Sequence, residues 1–85
     1  MKSLRAVLFT GPNCKACVPM KTNLKKAGIA YDEIDIGKKD GAAIASRLNI
    51  RALPTFFLFD EAVPLKSYPG VMPVAQLEKI KHKYL

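Results

Sequence analysis

The sequence predicts an α/β fold in which a four-stranded mixed sheet carries helices on both faces, in the order β-α-β-α-β-β-α. Short apolar or alternating runs, typical of strands, take turns with stretches whose apolar residues recur every three or four positions, typical of helices. Glycine, proline or asparagine separates most of these runs. Because the chain has 85 residues, 49% of them hydrophobic and 25% charged, we expect one globular domain over residues 1–85.

The first three elements form a strand–helix–strand unit. Leu4–Thr10 is a mostly apolar run and predicts a buried strand. From about Ala16 the apolar residues follow helical spacing until Gly28, which ends the helix. Pro19 then falls in the first turn, where an amide hydrogen is not needed. Residues 29–36 predict a second strand, which runs parallel to the first after a right-handed crossover.

The second half of the chain predicts a helix, a hairpin and a last helix. Asp40 is the expected N-cap of a helix that continues to Leu48. Residues 53–70 predict two antiparallel strands with a short turn at residues 60–62. Pro73 suits the first position of the last helix. The apolar stripe of that helix is Val74, Leu77, Ile80 and Tyr84.

The net charge of +7 comes from 14 Lys and Arg against 7 Asp and Glu. The densest group is Lys79, Lys81 and Lys83, near the end of the last helix, where cations suit the helix dipole. No recognition motif or interleaved aromatic stripe points to nucleic acid. We therefore expect a monomer with a basic surface that steers acidic protein partners, and no nucleic-acid partner.

The amino-terminal residues have some features of a secretory leader, since Lys2 and Arg5 precede a short apolar run. That run is too short for a leader and lacks a small-residue cleavage site. No window approaches the roughly 20 apolar residues that span a bilayer. We expect a cytoplasmic protein with no membrane partner, a setting in which a cysteine pair more often serves redox or metal chemistry.

The two cysteines, Cys14 and Cys17, stand three positions apart at the predicted start of the first helix. A structural zinc site needs about four ligands, and only His82 is available to join them, so such a site would need a second molecule. A disulfide as a staple closes only a four-residue loop, which is worth about 2 kcal/mol in the loop-entropy model. The third interpretation is a working redox pair.

The redox interpretation uses the whole context of the pair. A thiol at a helix amino terminus faces backbone amides and the positive end of the dipole, both of which favour the thiolate. Lys15 adds a neighbouring cation. We expect Cys14 to be the attacking thiolate at the exposed edge, with Cys17 one turn into the helix as the resolving thiol. No cofactor is expected beyond this redox-active disulfide.

A C-x-x-C pair between the first strand and helix, with "IRALPT" at residues 50–55 and "YPG" at residues 68–70, resembles the thioredoxin/glutaredoxin superfamily, in particular small glutaredoxin-like thioredoxins. The resemblance covers nearly the whole chain and implies a thioredoxin-like fold. It also implies a cis Leu53–Pro54 peptide bond beside the sulfurs and an open approach for a partner's backbone at Gly70. The substrate-binding residues implied or expected on this basis are Pro12, Asn13, Lys15, Ala16, Leu53, Pro54, Thr55, Gly70 and Val71.

The sequence combines features of two branches of the superfamily. The hydrophobic Leu53 before the proline is closer to thioredoxins, whereas the length is closer to glutaredoxins. Glutaredoxins carry acidic residues after the position of Gly70 that hold the amino group of glutathione, and "GVMPVAQ" has none. Val71 and Met72 instead suit contact with a protein surface.

Two departures from the thioredoxin pattern concern the cysteine pair. Thioredoxins have Trp before the first cysteine and Gly-Pro between the two, whereas this chain has Asn13 and Lys15-Ala16. Thioredoxins also place a buried acid in the strand beneath the pair, and "AVLFT" contains none. We expect water or a nearby side chain to replace this acid as the proton acceptor for Cys17, and the candidate side chain is Asp35, on a strand that we expect to be central. The alternative is that Asp35 is a hydrogen-bonded carboxylate at a strand end.

The resemblance implies a thioredoxin-like reductase of protein disulfides, with clients such as ribonucleotide reductase or a peroxidase. A flavin-dependent thioredoxin reductase would recharge it. Two alternatives remain open: a glutathione-dependent glutaredoxin, and a non-catalytic module that uses the fold as a binding scaffold.

Overall fold

The computed structural model describes residues 4–85, and in that part of the chain it has four strands and three helices. The predicted order of elements is confirmed. Lys2, discussed above as part of a leader, lies outside the described residues. The elements are β1 (Leu4–Thr10), α1 (Cys17–Lys26), β2 (Asp32–Asp35), α2 (Lys39–Arg47), β3 (Thr55–Asp60), β4 (Val63–Pro69) and α3 (Val74–Tyr84).

The four strands form one mixed sheet in the order β2-β1-β3-β4. β1 runs parallel to β2 and antiparallel to β3, and β3 runs antiparallel to β4. The predicted parallel unit and hairpin are therefore both present. The expectation that Asp35 lies on a central strand is wrong, because β2 is an outer strand and the central positions belong to β1 and β3.

Helices cover both faces of the sheet, as predicted. Alternate side chains of β1 and β3 point to opposite faces, which follows from the two-residue period of a strand. One face packs on α1 and α3 through a core of Ala6, Leu8, Met20, Leu24, Ala27, Ile29, Phe56, Leu58, Met72, Leu77 and Ile80. The other face has a smaller core of Val7, Phe9 and Phe57, with Ile44 and Leu48 of α2 packed against it.

Among the predicted boundaries that differ from the structure, three show where the local backbone sets the limit of an element. β2 begins at Asp32 rather than residue 29, because the Ile29 amide donates to the Leu24 carbonyl and closes the end of α1. The N-cap of α2 is Lys38, and Asp40 lies inside the first turn, where an acid also suits the helix dipole. Pro73 is the N-cap of α3 rather than its first residue, with an extended ψ of 154°.

A close approach between α2 and β2 depends on Gly41, which is buried. A Cβ atom at this position would overlap the backbone carbonyl of Asp35. Glycine therefore lets α2 pack directly on the backbone at the end of β2, and this contact places the segment that follows β2.

The two outer strands are poor templates for further strand pairing. β4 is largely exposed and contains Pro64, Lys66 and Pro69, with a register shift opposite Leu58 and Phe59. β2 has only four residues, three of them acidic. Prolines, charges, irregularity and short length are the usual protections of a sheet edge. Within residues 4–85, no helix combines the length and the apolar character needed to cross a membrane.

Candidate active site

Cys14 and Cys17 form a disulfide bond, with sulfurs 2.09 Å and Cα atoms 5.4 Å apart. Cys14 lies in the turn between β1 and α1, and its amide donates to the Gly11 carbonyl. Cys17 is the first residue of α1, with Ala16 as N-cap, so the prediction that it lies one turn inside the helix is wrong. Its amide donates to the Cys14 carbonyl, and this tight turn brings the two sulfurs together.

The two sulfur-bearing residues differ in exposure. Cys17 is only 4% exposed, whereas Cys14 is half-buried and lines an open groove. A partner's sulfur can therefore reach Cys14 more easily than Cys17. This asymmetry is the one expected for an attacking and a resolving cysteine.

The Leu53–Pro54 peptide bond is cis, as the resemblance implied. Pro54 is fully buried, and its carbonyl accepts a 2.8 Å hydrogen bond from the Gly70 amide. Thr55 is also buried, and its hydroxyl donates to the Ala52 carbonyl at 2.5 Å. Thr55 therefore holds its own loop rather than presenting a free hydroxyl to a ligand.

The groove beside Cys14 has a volume of about 630 Å³. Five of the predicted site residues besides Cys14 line it: Pro12, Asn13, Lys15, Ala16 and Leu53. Gly11, Ile36 and Gly37 line it as well and were not predicted. The signal for Ile36 and Gly37 was available, because they follow a strand parallel to β1, and binding sites of such sheets lie beyond the carboxyl ends of the strands.

Gly70 and Val71 lie outside the groove lining but remain accessible. Gly70 has a φ of 86°, and no heavy atom lies within 4 Å of the place where a Cβ would stand. Val71 is 44% exposed. The prediction that Met72 belongs to a protein-binding surface is wrong, because Met72 is buried. Its amide donates to the Met20 sulfur at 3.4 Å, and its carbonyl accepts from Asn23.

A polar network that sequence reasoning missed joins β1, β2 and α1. The buried Thr10 hydroxyl donates to Glu33 Oε2 at 3.0 Å, and Lys21 Nζ contacts the same oxygen at 2.8 Å. The hydrogen bond from Lys21 is the main cause that lowers the pKa of Glu33. The same bond is the main cause that raises the pKa of Lys21, which lies one helical turn after Cys17.

Asp35 makes the contact that the strand-end alternative predicts. Its Oδ1 atom accepts a 2.8 Å hydrogen bond from the Gly37 amide and so shapes the turn after β2. This turn carries part of the groove lining. A role for Asp35 as proton acceptor stays a prediction.

Metal binding within one chain finds no support in the described residues. Across residues 4–85, no three or more His, Cys, Asp and Glu side chains come together in a group able to hold a metal ion. His82, the histidine considered with the cysteines, lies on α3 near its end. What the cysteine site can do chemically is thiol–disulfide exchange.

Comparison with known protein sequences places the chain among redox proteins. The glutaredoxin family model matches residues 6–63, which include both cysteines and the cis proline. Thioredoxin Y, a chloroplastic protein of Oryza sativa subsp. japonica, is 33% identical over 70 residues. The match covers 81% of this chain but only 41% of that protein, so the chain spans less than half the length of this relative.

Solved structures with a similar fold include several thioredoxins. Thioredoxin-2, a component of the malaria parasite protein secretion machinery, matches with a TM-score of 0.81 at 19% identity, over 98% of this chain and 84% of that one. The germline-specific thioredoxin Deadhead of Drosophila melanogaster also matches with a TM-score of 0.81, at 21% identity, over 99% and 83% of the two chains. At these identities the likeness shows the fold, which is thioredoxin-like.

Proposed function

We propose that the chain, which belongs to the glutaredoxin family within the thioredoxin/glutaredoxin superfamily, reduces disulfide bonds of client proteins. The reduction proceeds through a Cys14/Cys17 dithiol–disulfide cycle. The observation that carries this proposal is the unequal exposure of two bonded cysteines: Cys14 opens onto a groove, and Cys17 is buried behind it.

The cycle starts from the reduced pair. The Cys14 thiolate attacks one sulfur of a client disulfide, forms a mixed disulfide, and releases the other client sulfur as a thiolate that takes up a proton. Cys17 loses its proton and attacks the Cys14 sulfur. The Cys14–Cys17 bond forms, and the second client sulfur leaves. The client gains two electrons and two protons, and the pair is left oxidised, as in the structure.

The start of α1 supports the thiolate of Cys14. Cys14 lies just before the amide end of this helix, and Lys15 is its neighbour. The helix dipole and the cation both favour the anionic sulfur. A lower thiol pKa also makes Cys14 a better leaving group when Cys17 attacks it, which speeds release of the client.

The surroundings of Cys14 suit a protein segment better than glutathione. Apolar Ile36 and Leu53 line the groove, and Val18 and Val71 are exposed large apolar residues near site residues in the sequence. Residues 71–76 contain no acid that would hold the ammonium group of glutathione. We propose that an extended client segment pairs with the backbone at Leu53 while one apolar side chain enters the groove.

The electron donor in this proposal is a flavin-dependent thioredoxin reductase, and the clients are proteins such as ribonucleotide reductase or a peroxidase in the cytoplasm. The chain itself acts as a monomer and needs no cofactor besides its cysteine pair. A glutathione-dependent cycle is the second candidate, because the matching family model is that of glutaredoxins. The donor that restores the dithiol distinguishes the two.

Insulin reduction tests the cycle, with either thioredoxin reductase and NADPH or glutathione and its reductase as donor. We expect Cys14→Ser to abolish activity with both donors, and Cys17→Ser to accumulate a mixed disulfide with insulin. Lys39→Gln, a surface change on α2, is the control and should leave the rate unchanged. Full activity in Cys14→Ser would refute the mechanism, and faster recharging by glutathione would favour the second candidate.

A further inference from the structure

The carboxyl ends of α1 and α3 lie together and are both rich in lysine. The last turn of α1 contains Lys25 and Lys26, and the last turn of α3 contains Lys81 and Lys83. Gly28, two residues after the end of α1, lies at the contact, because a Cβ there would lie 2.8 Å from Lys81 Nζ. Two sets of like charges that are distant in sequence therefore share one end of the molecule.

A strand adds a fifth cation to this group. Lys66 of β4 and Lys83 both lie beside Tyr84, and Lys83 Nζ stands 5.3 Å from the ring centre of that tyrosine. Burial alone would raise the pKa of Tyr84, but the hydrogen bond with Lys83 and the charges of both lysines lower it. We call Lys25, Lys26, Lys66, Lys81 and Lys83 the basic pole.

The basic pole is not neutralised by neighbouring acids. Within residues 4–85 the ion pairs are Arg5–Asp32 and Lys21–Glu33, and neither involves a lysine of the pole. α1 contains no acid, and α3 contains only Glu78. All five lysines are exposed. Like charges that lie close together without partners oppose folding. The favourable interaction of lysines with the carboxyl ends of the helices therefore does not by itself account for five of them in one place.

The pole and the cysteines lie at opposite ends of α1. The helix has ten residues, which corresponds to a length of about 15 Å. Cys17 begins it, and Lys25 and Lys26 end it. The pole and the groove beside Cys14 are therefore separate surfaces at the two ends of this helix.

We propose that the basic pole is a second binding surface, separate from the redox site, which docks an acidic face of a protein partner. Two features favour protein over nucleic acid or lipid. The pole contains lysine and no arginine, so it lacks the forked donors that grip phosphate. Tyr31 and Tyr84 pack against the core instead of standing free for base stacking.

Binding of model polyanions to the oxidised protein tests the proposal without any turnover, so its outcome is independent of the reductase assay. The probes are poly-L-glutamate, a random-sequence DNA duplex and phosphatidylserine vesicles, at equal concentrations of negative charge. The titrations are followed by backbone amide shifts at about 0.1 M salt, where charges interact over about 10 Å. We expect poly-L-glutamate to bind tightest and to shift the ends of α1 and α3.

Two matched triple variants separate the pole from the overall charge. Lys25→Gln/Lys81→Gln/Lys83→Gln should weaken poly-L-glutamate binding about tenfold, whereas Lys38→Gln/Lys39→Gln/Arg47→Gln, at α2, should weaken it less than about threefold. Equal weakening by both would show that net charge alone is responsible and would overturn the proposal. Tighter binding of DNA or vesicles than of poly-L-glutamate would overturn the protein partner.

Thermal unfolding gives a second readout, because a purely structural role and a docking role of the lysines predict different changes in the melting temperature of the pole variant. If the lysines serve only the helix ends, the pole variant should melt at a lower temperature and bind poly-L-glutamate as the unaltered protein does. This result would also overturn the proposal. A docking role predicts an equal or higher melting temperature at low salt, because repulsion is relieved, together with the loss of binding.

Discussion

The two faces of the sheet are packed very differently. In the part of the chain that the structure describes, eleven buried residues form the core between the sheet and the pair α1 and α3, whereas the hydrophobic core cluster on the face that α2 covers has three. Ile36 and Leu53, which line the groove, are partly buried neighbours of the smaller core. Stability therefore comes mainly from the face that α1 and α3 cover, while the groove beside Cys14 lies at the edge of the face that α2 covers.

The largest expected effect is a loss of stability from a change in the core between the sheet and the pair α1 and α3. Leu24 is completely buried in the core beneath α1, so Leu24→Ala leaves a cavity and should lower the free energy of unfolding by about 3 kcal/mol. Urea unfolding followed by circular dichroism measures it. A loss below about 1 kcal/mol would contradict the claim that this face supplies most of the stability.

A smaller loss is expected on the α2 face. Ile44 is only half-buried against the smaller core, so Ile44→Ala should cost about 1.5 kcal/mol in the same urea experiment. Lys39→Gln on the same helix serves as a surface control. If Ile44→Ala destabilises the protein as much as Leu24→Ala, the two faces are equivalent and the comparison fails.

The third effect concerns function rather than stability. Leu53 is half-buried and lines the groove, so Leu53→Ala should lower kcat/KM for insulin reduction about tenfold, equivalent to about 1.4 kcal/mol, through weaker client binding. Reduction of a small aromatic disulfide should change much less. An equal drop with both substrates would mean that Leu53 acts on the cysteines and not on the client.

The smallest expected effect concerns the polar network of Thr10, Glu33 and Lys21, which joins β1, β2 and α1. The pKa of Glu33 is lowered in the folded protein, chiefly by the Lys21 hydrogen bond, so its contribution is present above the unfolded value of 4.5 and is lost as pH falls. Because the pair is partly exposed, Glu33→Gln should cost less than about 1 kcal/mol at pH 7. The difference from the unaltered protein should shrink between pH 5 and pH 3, within about the range where carboxylates titrate. A difference that stays constant with pH would exclude the ion pair as its source.

The residues themselves predicted the order of elements, the helices on both faces of the sheet and the redox pairing of the two cysteines, whereas the cis Leu53–Pro54 bond was implied by the family resemblance alone. Apolar periodicity and the spacing of Gly, Pro and Cys are properties of short stretches of sequence, so they can be identified without a structure. The position of β2 at the edge, and hence the surroundings of Asp35, could not be read in this way, because strand order depends on pairing between distant segments.

The errors at the site have the same physical origin. The sequence places Met72 with Val71 on a protein-binding surface, because both are hydrophobic and the segment after Gly70 has no acid, yet the chain after Gly70 directs Met72 toward Met20 and Asn23. The Thr10–Glu33–Lys21 network joins three elements and has no sequence motif. Contacts of this kind are set by the tertiary fold, whereas the Cys14–Cys17 spacing is set by one turn of chain.

The protected outer strands have a consequence for how this protein behaves when it is damaged. The segment Thr55–Asp60, "TFFLFD", is the most aromatic stretch in the sheet and occupies a central position between β1 and β4. Apolar, aromatic segments of this length are typical seeds of amyloid once they are unpaired. Fibril growth should therefore begin with detachment of β4 from β3 and not with contact between intact molecules. Conditions that loosen this hairpin should shorten the storage life of the folded protein more than high concentration alone.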